Sequence, residues 1–283
     1  WVDISPEGQG RCPGGGELKE EQKFRDYVVR VYSYDPTTQG IRFAKSECLE
    51  VLKSDKAIYA RQSSDNPGAG FQIGGSFDDK TGRVAIGTDV TGDGRPDLVV
   101  GEHTGGAGRG FFIFDVFEIS DRFRCIATFG DQETDVRFED VDKDGKVEVL
   151  LLDETFADWF SHMARQSSLP GVYLRFRDGA FRPAVELMRK PAPTKSDLES
   201  RARQHRNSND DFWRAGAAPY DLRREILALV YEGNATSAWQ LLEMAWRPDL
   251  EGRDKFRRQI LDDLAKSRYH EDLLALNGGK LGP

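Results

Sequence analysis

Residues 89–100 read Asp-Val-Thr-Gly-Asp-Gly-Arg-Pro-Asp-Leu-Val-Val, and residues 140–151 read Asp-Val-Asp-Lys-Asp-Gly-Lys-Val-Glu-Val-Leu-Leu. In both stretches, oxygen-bearing side chains occupy positions 1, 3, 5 and 9, glycine occupies position 6, and an apolar run follows. Ca²⁺ takes about six to eight oxygen ligands, and alternate residues of a tight loop can supply them. Glycine permits the sharp turn that brings those oxygens together. The two stretches, called loop 1 and loop 2 below, therefore predict two calcium sites.

The neighbours of the two loops exclude an EF-hand. An EF-hand loop ends in a bidentate Glu at position 12 and is flanked by helices. Here position 12 is Val100 in loop 1 and Leu151 in loop 2. The segments 98–100 and 147–152 are β-branched and aliphatic, which predicts buried strands, and Pro96 disfavours a helix. The loops are therefore expected to connect strands.

A calcium loop between two strands resembles the FG-GAP or VCBS repeats of integrin-α-like β-propellers, and the resemblance covers residues 70–189. It implies two ligand sets, each completed by a backbone carbonyl at position 7: Asp89, Thr91, Asp93 and Asp97 with Arg95, and Asp140, Asp142, Asp144 and Glu148 with Lys146. Ligand charge is one of the properties that tune such sites. We therefore expect loop 2, with four carboxylates, to bind more tightly than loop 1, with three. The alternative is that both loops are Asp/Gly-rich turns without metal.

The remaining sequence predicts an α+β multidomain protein. Strands are expected at 27–34, 48–52, 57–61, 71–73, 84–86, 98–101, 111–117, 124–129, 136–138, 172–177 and 181–187. They amount to about three blades, whereas closed propellers typically have four to eight. After residue 193, apolar residues recur at helical spacing, and residues 196–199 fit a capping box. We expect a flexible segment (1–22), a mostly antiparallel β domain of propeller-type blades, either an incomplete propeller or a sandwich (23–190), and a small all-α domain of helical hairpins (191–283).

Composition limits the possible partners and the compartment. The net charge is −8 and the pI about 5.2, which argues against nucleic-acid binding, and no apolar run is long enough to span a membrane. The chain begins at Trp1, which either a removed signal peptide or a shortened chain explains. Because calcium loops are useful where calcium is plentiful, we expect a periplasmic or secreted protein. There Cys12 and Cys48 could form a disulfide, with Cys125 as a buried thiol, although spacing does not fix connectivity.

Two other segments contain candidate ligand-binding residues. The glycine-rich stretch 101–110 contains His103 and Arg109 and could hold an anion on its backbone amides. It lacks the ending of a P-loop, so a flexible connection between strands is the alternative. Residues 153–162 combine Asp153, Trp159 and His162, and paired carboxylates near aromatics suit glycoside hydrolysis. The alternative is a loop that packs its aromatic residues onto the core.

These features predict a non-catalytic calcium-binding module that acts outside the cytoplasm in protein or glycan binding, as the resemblance implies. Two alternatives stay open. One is a polysaccharide hydrolase or lyase on a propeller-like scaffold. The other is a structural subunit that docks through its helical domain.

Overall fold

A computed structural model describes residues 10–34, 46–66, 68–75, 83–105, 111–132, 136–160, 168–208, 213 and 217–283. In these residues, twelve strands form three four-stranded antiparallel sheets, accompanied by seven helices. The fold class is therefore α+β, which confirms this part of the prediction. Arg109 and His162 lie outside the described residues.

Each sheet is a meander of four strands in sequence order. Within the described ranges the strands do not close into a barrel or a propeller. Sheet 1 contains β1 (Glu17–Phe24), β2 (Tyr27–Tyr34), β3 (Ser46–Lys53) and β4 (Lys56–Gln62). Sheet 2 contains β5 (Gly70–Ile73), β6 (Asp97–His103), β7 (Phe112–Ile119) and β8 (Phe123–Gln132). Sheet 3 contains β9 (Arg137–Glu139), β10 (Glu148–Leu152), β11 (Gly171–Arg177) and β12 (Ala180–Pro183).

Three local predictions in the β region are wrong. The strand expected at 181–187 ends at Pro183, and Val185–Met188 form a short helix instead. Residues 17–22, expected to belong to a flexible segment, form most of β1, which pairs along its length with β2. Its Glu- and Lys-rich sequence suits an edge strand, where exposed charges discourage further pairing. Residues 84–86, expected to form a strand, do not: the backbone N–H of Val84 bonds to Gly74, and only Arg83 forms an isolated bridge, to Gly75.

The chain divides into two compact units. Unit 1 comprises residues 1–150 and 174–182, and unit 2 comprises residues 151–173 and 183–283. The chain therefore enters unit 2 within β10, returns to unit 1 within β11 and leaves it again at the end of β12. The composition of the sequence changes near residue 190, shortly before the longer helices begin. Unit 2 also includes residues 151–173, which precede this change.

The core of unit 1 joins neighbouring sheets. One hydrophobic cluster combines Val29 and Leu49 of sheet 1 with Leu98 and Phe117 of sheet 2, all at most 1% exposed. Burying such a side chain contributes roughly 1.5–3 kcal/mol. Sheets 2 and 3 meet through Phe129, whose ring contacts two phenylalanines of sheet 3. Sheet 2 therefore packs against both sheet 1 and sheet 3, so sheets that are neighbours along the chain are also neighbours in the fold.

A disulfide joins Cys12 to Cys48 of β3, which confirms the expected pairing. Cys125 is a free thiol and is only half-buried. Burial raises its pKa to about 11, so it stays protonated at neutral pH. The disulfide ties the N-terminal residues of the described chain to an interior strand of sheet 1.

The described ranges of unit 2 contain a 3₁₀ helix and six α-helices: Glu154–Trp159 (3₁₀), α1 (Val185–Met188), α2 (Lys195–Arg206), α3 (Tyr220–Tyr231), α4 (Ala235–Ala245), α5 (Arg253–Leu264) and α6 (His270–Leu276). Helix α4 packs against both α2 and α3. The capping box of α2 is formed by Thr194 and Asp197, two residues before the pair predicted from the sequence. Within the described ranges, none of the helices is both long enough and apolar enough to span a membrane.

Candidate metal sites

Loops 1 and 2 occupy equivalent places in successive sheets. Loop 1 leads into β6, the second strand of sheet 2, and loop 2 leads into β10, the second strand of sheet 3. The corresponding connection in sheet 1 is the two-residue turn Arg25-Asp26 between β1 and β2. The three sheets therefore have the same strand order, and the loop position lies between the first and second strands of each. In sheet 1 this connection is too short for an acidic loop, which explains why only two such loops occur in the sequence.

In loop 1, the first carboxylate receives hydrogen bonds from the turn that it precedes. Oδ1 of Asp89 accepts from the backbone N–H of Asp93 at 3.1 Å, and Oδ2 accepts from that of Gly94 at 2.8 Å. The N–H of Arg95 donates to Oδ1 of Asp93 at 2.9 Å. Gly94 has a φ of +85°, a conformation that favours glycine.

Loop 2 repeats this geometry bond for bond. Oδ1 of Asp140 accepts from the N–H of Asp144 and Oδ2 from that of Gly145, both at 3.0 Å. The N–H of Lys146 donates to Oδ1 of Asp144 at 2.9 Å, and Gly145 also has a φ of +85°. The two sequences share Val at position 2, a basic residue at position 7 and the spacing of acids and glycine, and the hydrogen bonds above all involve the shared acids and glycine or the backbone of position 7.

The last acid of loop 1, Asp97, has a buried oxygen without a partner. The residue is 1% exposed. Its Oδ2 accepts hydrogen bonds from the N–H groups of Val90 and Thr91 and from the Thr91 hydroxyl, at 2.9–3.1 Å, whereas its Oδ1 has no partner in the part of the chain that the structure describes. Burial, with a contribution from Asp89, raises the pKa of Asp97 to about 6. An unsatisfied buried carboxylate oxygen is costly, and a bound cation would satisfy it. Asp97 therefore offers an oxygen to a cation, but among the described residues only the acids of loop 2 converge into a group that could hold a metal ion.

In loop 2, the carboxylate oxygens of Asp140, Asp142 and Glu148 lie within 4.8 Å of one another. Glu148 is fully buried, and its Oε2 accepts a hydrogen bond from the N–H of Val141 at 3.0 Å, as Asp97 does from Val90 in loop 1. This acidic group could hold a metal ion.

The structure adds a residue to loop 2 that the sequence does not indicate. Arg175 of β11 donates from Nε to Oε1 of Glu148 at 2.7 Å and from Nη2 to Oδ2 of Asp142 at 2.9 Å. These contacts lower the pKa of Asp142. A sequence cannot reveal this contact without the pairing of strands, because Arg175 follows Glu148 by 27 residues and belongs to no recognisable motif.

The side chain at position 7 of loop 1 contacts acids both inside and outside the loop, since the Arg95 guanidinium lies 3.8 Å from Oδ2 of Asp93. The Arg95 guanidinium lies 3.1 Å from Oε2 of Glu118 on β7. Burial alone would raise the pKa of Glu118, but hydrogen bonds from Ser120, Arg124 and Arg95 lower it to about 2. The resemblance assigns only the backbone carbonyls of Arg95 and Lys146 to the ions, so these side-chain contacts leave that prediction untouched.

The glycine-rich stretch does not share a location with loop 1. Asp97 and His103 are the first and last residues of β6, which places them roughly 20 Å apart. His103 Nδ1 lies 3.2 Å from the carbonyl of Gly68, and its ring contacts Phe112. Arg109, its proposed companion, lies outside the described residues. The described part of this stretch therefore gives no support to a combined ligand site with loop 1.

Asp153 and Trp159 are buried parts of unit 2. Asp153 caps the 3₁₀ helix, and its Oδ2 accepts hydrogen bonds from the hydroxyls of Tyr231 and Ser267, both at 2.5 Å. Trp159 is 7% exposed and donates its indole N–H to Asp263 at 2.9 Å. A sugar ring would need an exposed aromatic face and an accessible carboxylate. These two residues therefore agree with the packing alternative, while His162 lies outside the described residues.

No family model, curated protein or solved structure matches this chain.

Proposed function

We propose that this chain is a non-catalytic, calcium-binding module of propeller-type four-stranded units that acts outside the cytoplasm in protein or glycan binding. The observation that carries the proposal is the repetition of one loop geometry at the same place in two successive sheets. Ordinary Asp/Gly turns need no such agreement, because many side chains satisfy a turn. Carboxylates at positions 1 and 9 of both loops, which converge within 4.8 Å in loop 2, favour a common ligand.

The donor chemistry favours Ca²⁺ over other metal ions. All the side chains that the loops offer are carboxylates and one hydroxyl, which are ligands of hard cations. Mg²⁺ demands near-ideal octahedral geometry and gives up its water reluctantly, whereas Ca²⁺ accepts irregular sets of protein oxygens. Zinc prefers histidine and cysteine, and neither residue occurs in loop 1 or loop 2.

An extracytoplasmic location agrees with two features. Disulfides such as Cys12–Cys48 persist in oxidising compartments. Modules in calcium-rich fluid need a Kd of only about 10⁻⁴–10⁻³ M. At millimolar calcium, a site at the tighter end of this range stabilises the folded state by about 1–2 kcal/mol through mass action. We therefore assign the ions a structural role that maintains unit 1 in its binding-competent form.

The enzyme alternative loses its main residues, since Asp153 and Trp159 are buried and engaged in hydrogen bonds within unit 2. One observation favours the alternative that the protein docks through its helical domain. Unit 2 contains a cavity of about 680 Å³ lined by Leu198, Trp239 and Met244 together with charged residues at its rim. A protein partner is therefore favoured over a glycan, and assembly through unit 2 is the second candidate function.

Thermal unfolding tests the calcium function directly. The midpoint of the wild-type protein is measured with excess EDTA and with 5 mM Ca²⁺, and compared with that of the Asp93→Ala/Asp144→Ala variant. We expect calcium to raise the midpoint of the wild type and not that of the variant. The control is Asp65→Ala/Asp121→Ala, which removes two exposed acids of unit 1 outside both loops and should keep the calcium response.

A wild-type protein without a calcium response would reduce both loops to turns and overturn the proposal. A response of equal size in the loop variant would place the ions elsewhere and would overturn it as well. Turnover of a polysaccharide by the calcium-loaded protein would overturn the non-catalytic part alone.

A further inference from the structure

Arg175 makes contacts in loop 2 that a metal ion would otherwise make. Its Nη2 lies 2.5 Å from Oε1 of Glu148, 2.9 Å from Oδ2 of Asp142 and 3.6 Å from Oδ2 of Asp144. These are three of the four acidic side chains that the sequence assigns to the ion. The Arg175 side chain is 12% exposed, so water screens the attraction only weakly. A guanidinium stays charged at every accessible pH, which makes it a permanent counter-ion of the loop.

Loop 1 has the opposite arrangement. The residue paired with Asp97 on the neighbouring strand β7 is an acid, Glu118. The carboxylate of Glu118 is itself engaged by Arg95 and Arg124. Asp97 keeps a buried oxygen without a partner, as described above. The strand next to β10 thus places Arg175 at loop 2, whereas the strand next to β6 places Glu118 at loop 1, although the two loops share the same backbone hydrogen bonds.

We propose that Arg175 is the built-in cation of loop 2, so that Ca²⁺ enters this loop only by displacing the guanidinium, and loop 1 is the tighter calcium site. The inference rests on the proposed calcium function and adds regulation to it. It reverses the order of affinity expected from the number of carboxylates. Calcium needs oxygens at roughly 2.3–2.6 Å from one point, and Asp142 and Glu148 cannot meet that demand while they bind Arg175. The two cations therefore exclude each other.

Because Arg175 and Ca²⁺ exclude each other, removing Arg175 should raise the calcium affinity of loop 2 by the coupling between the two. A coupling between two binding events is typically 5–150-fold in affinity, about the range expected when a competing internal cation is removed. In the wild-type protein, Arg175 must withdraw from Glu148 and Asp142 before the ion binds loop 2. This withdrawal costs free energy and therefore weakens calcium binding. In loop 1 the only such contact among the described residues is the longer one from Arg95 Nη1 to Oδ2 of Asp93, at 3.8 Å on a half-exposed side chain. Calcium there gains the unsatisfied oxygen of Asp97.

The test isolates one loop at a time. Asp93→Ala leaves loop 2 as the calcium site, and in this background Arg175 is kept or replaced by Gln or by Lys. Calcium binding is measured by isothermal titration calorimetry. We expect Arg175→Gln to tighten binding about tenfold or more, and Arg175→Lys to stay weak because it keeps the positive charge. The control is Arg124→Gln, which removes an arginine that contacts Glu118 and should leave the loop 2 affinity unchanged.

Arg175→Gln with an affinity within about twofold of its parent would overturn the inference. If this variant does not fold without metal, the inference requires calcium to restore its folding, and failure to do so also overturns it. The Asp144→Ala protein, which retains loop 1, separates the two proposals. Binding there, combined with no effect of Arg175→Gln in loop 2, refutes only the role of Arg175. An absence of binding in every variant refutes the calcium function itself.

Discussion

Replacing Asp97 by Asn should stabilise the protein without calcium and weaken its response to calcium. Asn keeps one side-chain oxygen, which can accept the hydrogen bonds that Val90 and Thr91 donate to Asp97. It removes the negative charge that is buried beside Asp89 with one oxygen unsatisfied. The substitution therefore separates the fold of loop 1 from its charge.

The magnitude follows from the pKa of Asp97, which is about 6 in the folded protein against roughly 3.9 for an unperturbed Asp. At 1.36 kcal/mol per pKa unit, the ionised carboxylate costs about 3 kcal/mol at pH 7. The new amide must find partners of its own, so we expect the variant to gain about 2 kcal/mol in EDTA. With 5 mM Ca²⁺, the wild type recovers about 1–2 kcal/mol that the variant cannot.

The sign of the pH dependence follows from the raised pKa. The unfolded carboxyl loses its proton near pH 4, whereas the folded one keeps it to about pH 6. In EDTA, the variant should therefore be about 1 kcal/mol less stable than the wild type near pH 4, gain on it as the pH rises from 4 to 6, and be about 2 kcal/mol more stable at pH 7.

Urea denaturation followed by far-UV circular dichroism measures these free energies at pH 4, 5, 6 and 7, in EDTA and in calcium. Tryptophan fluorescence is the less suitable probe, because four of the five tryptophans, Trp159, Trp213, Trp239 and Trp246, belong to unit 2. A variant that is less stable than the wild type in EDTA at pH 7 would refute the reasoning. So would a difference between the two proteins that stays the same when calcium is added.

Three further predictions concern single contacts. Cys48→Ser should cost about 2–4 kcal/mol through loss of the disulfide to Cys12, and adding a reductant to this variant should lower its thermal midpoint no further. Tyr231→Phe should cost about 2 kcal/mol, because it removes a hydroxyl donor from the buried carboxylate of Asp153, and urea denaturation followed by tryptophan fluorescence should show the loss. Glu118→Gln should cost about 1 kcal/mol at pH 7, since the guanidiniums around Glu118 are half exposed, and this cost should vanish as the pH falls from 4.5 towards 2.

Each of these predictions has a contradicting result. A midpoint of the Cys48→Ser variant equal to that of the oxidised wild type would mean that the disulfide adds no stability. An unchanged fluorescence transition in Tyr231→Phe would mean that Asp153 is satisfied without that hydroxyl. For Glu118, the pKa is lower in the folded state, so its contribution must be present above pH 4.5 and lost below it; a cost that grows in acid would refute the assignment.

The sequence predicted the strands that are apolar and β-branched, such as β2, whose predicted and observed bounds agree. It failed for β1, whose charged residues read as a flexible segment and become a strand only because β2 lies beside them. Local patterns carry no information about pairing partners. The same limit explains Arg175: the acidic spacing of loop 2 is visible in the sequence, but the strand that delivers a base to it is not.

Of the candidate sites, the two loops were predictable because their geometry depends on residues within nine positions of one another. The burial of Asp153 and Trp159 was not, because their partners, Tyr231 and Asp263, follow much later in the chain. An acid next to aromatic residues is compatible with both a sugar site and a packed core. Only long-range contacts distinguish the two.

The division of the chain between units has a consequence for its synthesis on the ribosome. Residues 151–173 belong to unit 2, yet the helices that surround them are made afterwards. Asp153 cannot accept its hydrogen bond from the Ser267 hydroxyl until that residue, 114 positions further along the chain, has been synthesised. At about 5–20 residues per second, that delay is roughly 6–23 s. During this interval the nascent chain exposes Trp159 and Phe156 without their later neighbours, and a chaperone that binds aromatic segments would find its target there.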